Sequence, residues 1–334
     1  MRQLRPETSL NRVTMTTVEK DPTLASLQPK NILFAADFSR APAAALAHAI
    51  AFARSFDARL FLIHVVAPDS YPFLHAESIR AIFGRFTRDA ERRLRKLSNS
   101  EQLREIPHEL LLERCPSDTL SEVIRKHDIE LVVLGTGSRR GFNRLLLRSV
   151  AAEIFRNSSC PLLAVGPNVL APGSDKPGFR HVLYPTERLE QSLCVAPYAI
   201  SIAARHSARL TVLHALREHS TASLYRLFKP ELDQELERLI PQTPAAWRDS
   251  ETLVEYGEPA ETILRIAKVD RADLIVLGVT QRDIAGGHFE KAVIHRVIAE
   301  AESPVLAFRG EPFNKPPAPA ATIRTEASLV QAPC

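Results

Sequence analysis

The chain carries one order of apolar runs twice, and this repeat limits the fold more than any other feature. Three landmarks recur at nearly constant spacing: a histidine in the second run, a glycine closing the fourth run and a proline before the fifth. They are His64 and His214, which lie 150 residues apart, and two pairs that lie 143 residues apart, Gly135 with Gly278 and Pro161 with Pro304. A period of this length is too long for a solenoid. The sequence therefore predicts two copies of one whole domain.

Each copy alternates apolar runs of strand length with segments of helical periodicity. In the first copy the runs lie at 31–36, 59–66, 107–113, 130–135 and 161–165. Helical patterns occupy 40–56, about 75–97, a stretch after Pro116 and a stretch from about 148. Continuous apolar runs separated by helices are typical of a parallel sheet that is covered on both faces. We predict an α/β protein with two consecutive doubly wound domains, each with five parallel strands.

Polar and proline-rich segments divide the chain. We assign residues 1–29 to a flexible N-terminal arm, 30–167 to the first domain and 180–310 to the second domain. The intervening segment 168–179 is rich in proline and glycine, which end both element types, and we interpret it as a linker. Residues 311–334, rich in proline and alanine, are predicted to be a flexible tail.

Both copies end in a short apolar strand, 162–165 in the first and 305–308 in the second. An exposed edge strand of this kind requires a cover. The equivalent strand of the other copy is the simplest one, so we predict that the two domains pair within the chain as a pseudo-dimer. Association of two chains into a homodimer remains an open alternative.

Composition excludes several classes of protein. With 45% hydrophobic and 25% charged residues, the 334-residue chain has the composition of a globular protein. A net charge of +4 and 6% aromatic residues do not indicate a nucleic-acid partner. No apolar run approaches the roughly 18 residues of a membrane span, and no leader pattern opens the sequence. Four dispersed cysteines indicate reduced thiols, so we expect a cytoplasmic protein.

One crevice is the candidate site in the first copy. Ligands of open parallel sheets bind beyond the carboxyl ends of the strands, where connections diverge. This places Asp37, Val65 and the loop after Gly135 around one crevice. Glycines in that loop permit close approach of backbone N–H groups to an anion, and Ser149 can add a hydroxyl donor near a helix N-terminus.

The strand followed by Asp37-Phe-Ser, the strand with His64-Val-Val, and Leu-Val-Val-Leu-Gly135 with its loop and Leu-Leu-Leu-x-Ser-Val resemble the universal stress protein family. The resemblance covers about 31–166 and 180–309, and it implies the strand order 3-2-1-4-5 in each domain. ATP-binding members of that family carry G-x-x-G-x9-G-[ST] in the loop. The resemblance thus implies ATP, accompanied by Mg²⁺, as the candidate cofactor.

Mapped residue by residue, the family pattern is only partly kept. The first copy retains Asp37, Val65, Gly135 and Ser149, whereas Ser138 and Arg148 stand where the second and third glycines belong. The resulting candidate pocket consists of Asp37, Val65, Gly135, Ser138, Arg148, Ser149 and Val150. Arg148 could pair with phosphates instead of leaving room for them.

The second copy departs further from the pattern. The corresponding positions hold Glu187, Gln281, Lys291 and Ala292, and of the loop glycines only Gly278 is kept. We therefore expect no ATP in the second domain.

Structural interpretations stand beside these functional ones. Asp37 also suits a turn or helix start, Ser149 also suits a helix cap, and the arginines from Arg139 to Arg148 also suit a solvated face. For His64 and His214 we favour hydrogen-bonded structural residues over ligands.

No catalytic motif is recognised, neither a G-x-x-x-x-G-K-[ST] loop nor H-E-x-x-H nor G-x-S-x-G. The sequence favours a stress-response binding protein that is not an enzyme and that acts on a protein partner which the sequence does not identify. Two alternatives stay open: a protein-interaction module that binds no nucleotide, and a weak ATPase.

Overall fold

The computed structural model describes residues 27–36, 42–65, 76–113, 119–136, 154, 158, 160–172, 178–186, 195–216, 250–279 and 293–309. Ten strands form one continuous sheet, in the order β3-β2-β1-β4-β5-β10-β9-β6-β7-β8. The strands are β1 Asn31–Ala35, β2 Arg59–Val65, β3 His108–Glu113, β4 Leu131–Gly135, β5 Leu162–Val165, β6 His181–Thr186, β7 Arg209–Leu216, β8 Glu251–Tyr256, β9 Leu274–Val279 and β10 Val305–Arg309.

Six helices lie within the described residues: α1 Pro42–Phe56, α2 Ala76–Ser98, α3 Thr119–Lys126, α4 Ala196–His206, α5 Pro259–Val269 and α6 Val293–Glu300. Local sequence explains several of their ends. Pro259 opens α5, where its missing N–H is not needed, and Glu258 caps that helix by accepting from the Glu261 N–H at 3.0 Å. The C-terminal cap of α4 is Ser207, which is in the left-handed region with φ of 51°.

Each half of the sheet has the predicted strand order 3-2-1-4-5, and the neighbouring strands within each half are parallel. The predicted pairing of the two last strands is also confirmed, because β5 and β10 lie side by side and antiparallel. Leu163 faces Leu306 at the centre of this junction, and neither side chain is exposed to solvent. The two domains thus share one sheet.

The junction has the exchange symmetry of a homodimer interface within a single chain. Leu163 and Leu306 are equivalent positions of the two copies, and they pair with each other. At the ends of α1 and α4, the equivalent residues Phe56 and His206 place their rings edge to face at 6.4 Å. Such contacts between equivalent positions define an isologous interface. The repeat therefore supplies its own partner.

The core consists of two apolar layers, one on each face of the sheet, and each layer contains residues of both halves. Equivalent residues occupy equivalent places: Phe34 and Tyr184 lie in one layer, while Leu33 and Leu183 lie in the other. Burial on both faces explains why the strands read as continuous apolar runs.

Two segments that the sequence assigns to an arm and a linker are packed where the structure describes them. Leu27 is buried, and its N–H donates to Ser201 Oγ of the second domain at 3.3 Å. Phe179 lies 5.3 Å, ring to ring, from Phe52 of α1. Apolar side chains at the ends of these polar segments therefore pack against the domains.

Among the described residues, no helix combines the length and the apolar character that crossing a bilayer requires.

Candidate functional site

Two of the seven candidate residues lie in the described part of the chain, and both close strands on either side of β1. Val65 is the last residue of β2 and Gly135 is the last residue of β4. Ala35, which closes β1, pairs with Ile63 and with Leu134, so the three strands end at the same edge. This edge is where the sequence predicts the crevice. The other candidates, Asp37, Ser138, Arg148, Ser149 and Val150, lie outside the described residues.

The backbone that leads into Asp37 is tied to β2 by two hydrogen bonds. The Ala36 N–H donates to the Ile63 carbonyl at 2.8 Å. His64 Nδ1 lies 2.8 Å from the Ala36 carbonyl, and because a carbonyl only accepts, Nδ1 carries the proton. The second domain repeats this bond between His214 and the Thr186 carbonyl at 2.9 Å. The interpretation of both histidines as hydrogen-bonded structural residues is confirmed.

Gly135 has a packing role that the sequence did not reveal. A Cβ atom at this position would lie 3.0 Å from Ala45 Cβ of α1. At Gly278 of the second domain, a Cβ would lie 3.3 Å from Val195 Cγ2, and Val195 is the repeat equivalent of Ala45. In each copy, a neighbouring residue approaches the end of the fourth strand so closely that a glycine is needed there. This packing explains the glycine in both domains whether or not a phosphate binds.

Thr136 adds a polar group that sequence reasoning did not single out. Its N–H donates to the Val165 carbonyl at 2.8 Å, which fixes the residue between β4 and the loop. Its hydroxyl oxygen is buried and finds no hydrogen-bond partner within the part of the chain that the structure describes. The sequence signal that could have identified Thr136 is its position, because a residue with a hydroxyl group lies between the last glycine of the strand and the loop.

Cys160 does not supply a nucleophile. Burial, with a smaller contribution from the charge of Glu130, raises the pKa of its thiol to about 12. The thiol donates to the Ile129 carbonyl at 3.3 Å and is held there. A thiol with so high a pKa stays protonated, and the thiolate is the reactive form. Within the described residues, no group of three His, Cys, Asp or Glu side chains is placed to hold a metal.

Three histidines, His48, His206 and His214, have a lowered pKa, which favours their neutral form. Burial lowers the pKa of His48 below its ordinary value of 6.5, although the Leu170 carbonyl that accepts from its Nε2 at 3.0 Å opposes this shift. Burial likewise lowers the pKa of His214. For His206, burial is again the larger cause, and the neighbouring Arg205 lowers the pKa further.

These shifts make folding depend on pH. The unfolded histidines bind protons near pH 6.5 and the folded ones resist, so stability that is complete above pH 6.5 should be lost as the pH falls below it. We expect the melting temperature to fall between pH 7.5 and 5.5, and less so in His48→Gln, whose amide can still donate to the Leu170 carbonyl. An equal fall in both proteins would contradict a role for His48.

The doubled fold defines the structural class of the protein. The molecule is a tandem α/β protein in which two copies of a nucleotide-binding type of sheet, with order 3-2-1-4-5, are joined through their last strands. The sequence model of the universal stress protein family matches residues 29–166 and 178–309. The chain therefore belongs to the universal stress protein family, with two family domains in one polypeptide.

Relatives and solved structures agree with this assignment. A universal stress protein of Methanocaldococcus jannaschii is 31% identical over 140 residues, which cover 41% of this chain and 81% of the relative. One from Mycobacterium bovis is 25% identical over 201 residues, or 58% of this chain and 66% of the relative. The crystal structure of a universal stress protein from Archaeoglobus fulgidus covers 84% of this chain and 96% of its own, with a TM-score of 0.60 and 15% identity, and so shows the fold.

Proposed function

We propose that this protein is a stress-response binding protein whose first domain binds an adenine nucleotide and whose second domain does not. The single observation that carries the proposal is the shared edge of β2, β1 and β4. Val65 and Gly135 close the outer two strands there, and His64 ties the backbone that enters Asp37. Ligands of open parallel sheets bind at such an edge.

The polar groups at this edge suit a nucleotide. Asp37 follows the tethered Ala36 directly, where a carboxylate can accept from a ribose or an adenine amine. The buried hydroxyl of Thr136, which has no hydrogen-bond partner among the described residues, directly precedes in sequence the loop that carries Ser138, Arg148 and Ser149. A guanidinium and hydroxyls are strong donors to phosphate oxygens. We therefore assign the phosphates to the loop and the adenosine to the side of Asp37 and Val65.

The second domain keeps the scaffold but replaces each of these groups by a different residue. Its sheet edge has the same histidine tether, from His214 to Thr186. Its sequence places Ala292 where Ser149 stands in the first domain, so one hydroxyl donor is missing. The retained Gly278 is explained by its approach to Val195. Glu187 and Lys291 still supply a carboxylate and a cation, so the loss of the Ser149 hydroxyl and of the loop pattern is the difference on which the proposal for the first domain rests.

The test is calorimetric titration of ATP, with and without Mg²⁺, into the full chain and into the double variant Asp37→Ala, Ser149→Ala. We expect one site per chain in the parent, and loss of binding by at least roughly tenfold in the variant, since several donors and acceptors of the site are removed. The matched control is Glu187→Ala, the equivalent acidic position of the second domain, which should bind as the parent does.

Two outcomes would replace the proposal. No heat, together with a melting temperature that millimolar ATP leaves unchanged, would show that the chain binds no nucleotide and would favour a protein-interaction module. Metal-dependent phosphate release above background, lost in the double variant, would instead assign a weak ATPase.

A further inference from the structure

The outer face of α2 carries an arginine stripe that the nucleotide proposal does not use. The stripe consists of Arg85, Arg88, Arg92 and Arg95, at spacings of three, four and three residues. This spacing places all four on one face of the helix. All are exposed, and the Arg92 side chain is 77% exposed. At 1.5 Å per residue the stripe is about 15 Å long.

The apolar face of α2 is already occupied. Leu94 and Ala90 are 2% and 4% exposed, and α2 packs against β2 and β3. An amphipathic helix that binds a lipid surface inserts its apolar face. That face is buried in this protein, so the arginine stripe is displayed by a fixed helix and is available to a partner in solution.

The positive charge of this helix is largely uncompensated. Among its residues, α2 has seven basic and three acidic side chains, a net charge of +4 that equals the net charge of the whole chain. Asp89 pairs with Arg93 at 2.7 Å and with Arg92 at 3.7 Å. Within the described residues, Arg85, Arg88 and Arg95 make no ion pair.

The repeat does not require this charge. In the second copy, the corresponding stretch of sequence, 226–248, carries four acidic residues, Glu231, Asp233, Glu235 and Glu237, and four basic ones, Arg226, Lys229, Arg238 and Arg248. The formal net charge of that stretch is zero, so the sequence of the second copy does not repeat the excess of positive charge found in α2. The excess of positive charge is therefore not repeated in the sequence of the second copy, as expected of a binding surface rather than of a feature that the fold requires.

The stripe also borders a groove. A cavity of about 700 Å³ is lined on α2 by the four arginines together with Phe86, Asp89 and Glu91. Phe86 is 44% exposed. Guanidinium groups beside an aromatic ring can take a carboxylate and an apolar side chain side by side.

We propose that the arginine stripe docks a carboxylate-rich segment of a partner protein. Carboxylates accept paired hydrogen bonds from guanidinium groups. The acidic side chains of a peptide are spaced apart, so they can contact the arginines while avoiding Asp89 and Glu91. A continuous phosphodiester strand would meet the repulsion of these two carboxylates, and among the described residues that line the groove only Phe86 offers an aromatic ring for stacking. The chemistry therefore favours an acidic protein segment over a nucleic acid.

The experiment titrates the full chain into a fluorescein-labelled, glutamate-rich peptide that has leucines at intervals, and follows anisotropy. The triple variant Arg85→Gln, Arg88→Gln, Arg95→Gln should bind the peptide roughly tenfold more weakly, since each exposed ion pair contributes little alone and three act together. Raising the salt from about 50 to 300 mM should weaken binding to the parent and change the variant less.

The matched control removes three positive charges elsewhere, in Arg104→Gln, Arg125→Gln, Lys126→Gln, all exposed in the structure. The control should bind as the parent does. An equal loss in both variants would reduce the effect to net charge and overturn the proposal, as would the absence of binding to the parent. An oligonucleotide that binds more tightly than the peptide, and depends on the stripe, would assign the surface to nucleic acid instead.

Discussion

Replacing Leu163 by aspartate is expected to destabilise the folded chain by about 4 kcal/mol, the largest effect of any single substitution considered for this protein. Leu163 is fully buried and pairs with Val133 on one side and with Leu306 of the second domain on the other. An aspartate there would place an unpaired carboxylate between the two domains. The loss corresponds to roughly 10 °C in melting temperature for domains of this size.

The measurement is thermal and urea unfolding of the variant, with amide hydrogen exchange to locate the damage. Exchange should rise first at 162–164 and at 305–307, the paired residues of the junction. Leu170→Asp is the control, because that leucine is 82% exposed and close in sequence, and its change should stay within about 0.5 kcal/mol. If Leu163→Asp melts within 2 °C of the parent, the junction of the two domains does not support their stability.

The pairing of the last strands shows what the sequence determines well. The offsets of 150 and 143 residues identify two copies of one domain. The short apolar strand at the end of each copy predicts that these two strands pair with each other. Apolar periodicity is local in the sequence, and the repeat is found by comparing the sequence with itself, so both can be read without coordinates. The family resemblance supplied the strand order, which the sheet confirms.

The contacts that complete the junction could not be foreseen in the same way. Phe52 with Phe179, and His48 with the Leu170 carbonyl, join residues more than 120 positions apart. Nothing in the local pattern distinguishes these side chains from others of the same helix. These side chains come into contact only because the fold places α1 beside the linker 168–179.

The candidate site shows a different limit, in the interpretation of glycine. Gly135 fits a phosphate loop in the sequence, yet its approach to Ala45 requires a small residue in any event. Gly278, in the domain whose sequence lacks the remaining pattern, makes a similar close approach to Val195. The informative positions are therefore Asp37 and Ser149, which the sequence pattern assigns to a nucleotide, and the titration experiment is built on them.

A second glycine provides the other large prediction, because it lies where the two domains meet. A Cβ at Gly166 would lie 2.4 Å from the Ile298 carbonyl oxygen of α6, far inside van der Waals contact. Two residues on, the Asn168 side chain donates to the Glu300 carbonyl at 3.1 Å and caps the end of the same helix. Gly166→Ala must push β5 and α6 apart, and we expect a loss of about 2 to 3 kcal/mol.

Gly84→Ala is the matched control, and the two alanines should act in opposite directions. Gly84 lies inside α2, and among the described residues the nearest atom to its added Cβ would be Arg88 Nη1 at 3.9 Å. Alanine there should stabilise the helix by about 0.5 to 1 kcal/mol, since glycine is the poorer helix former. Urea unfolding of both variants compares the signs directly. If the urea midpoints of Gly166→Ala and the parent are equal, α6 moves away from the added methyl group without loss of stability. The close approach at Gly166 then does not hold the domains together.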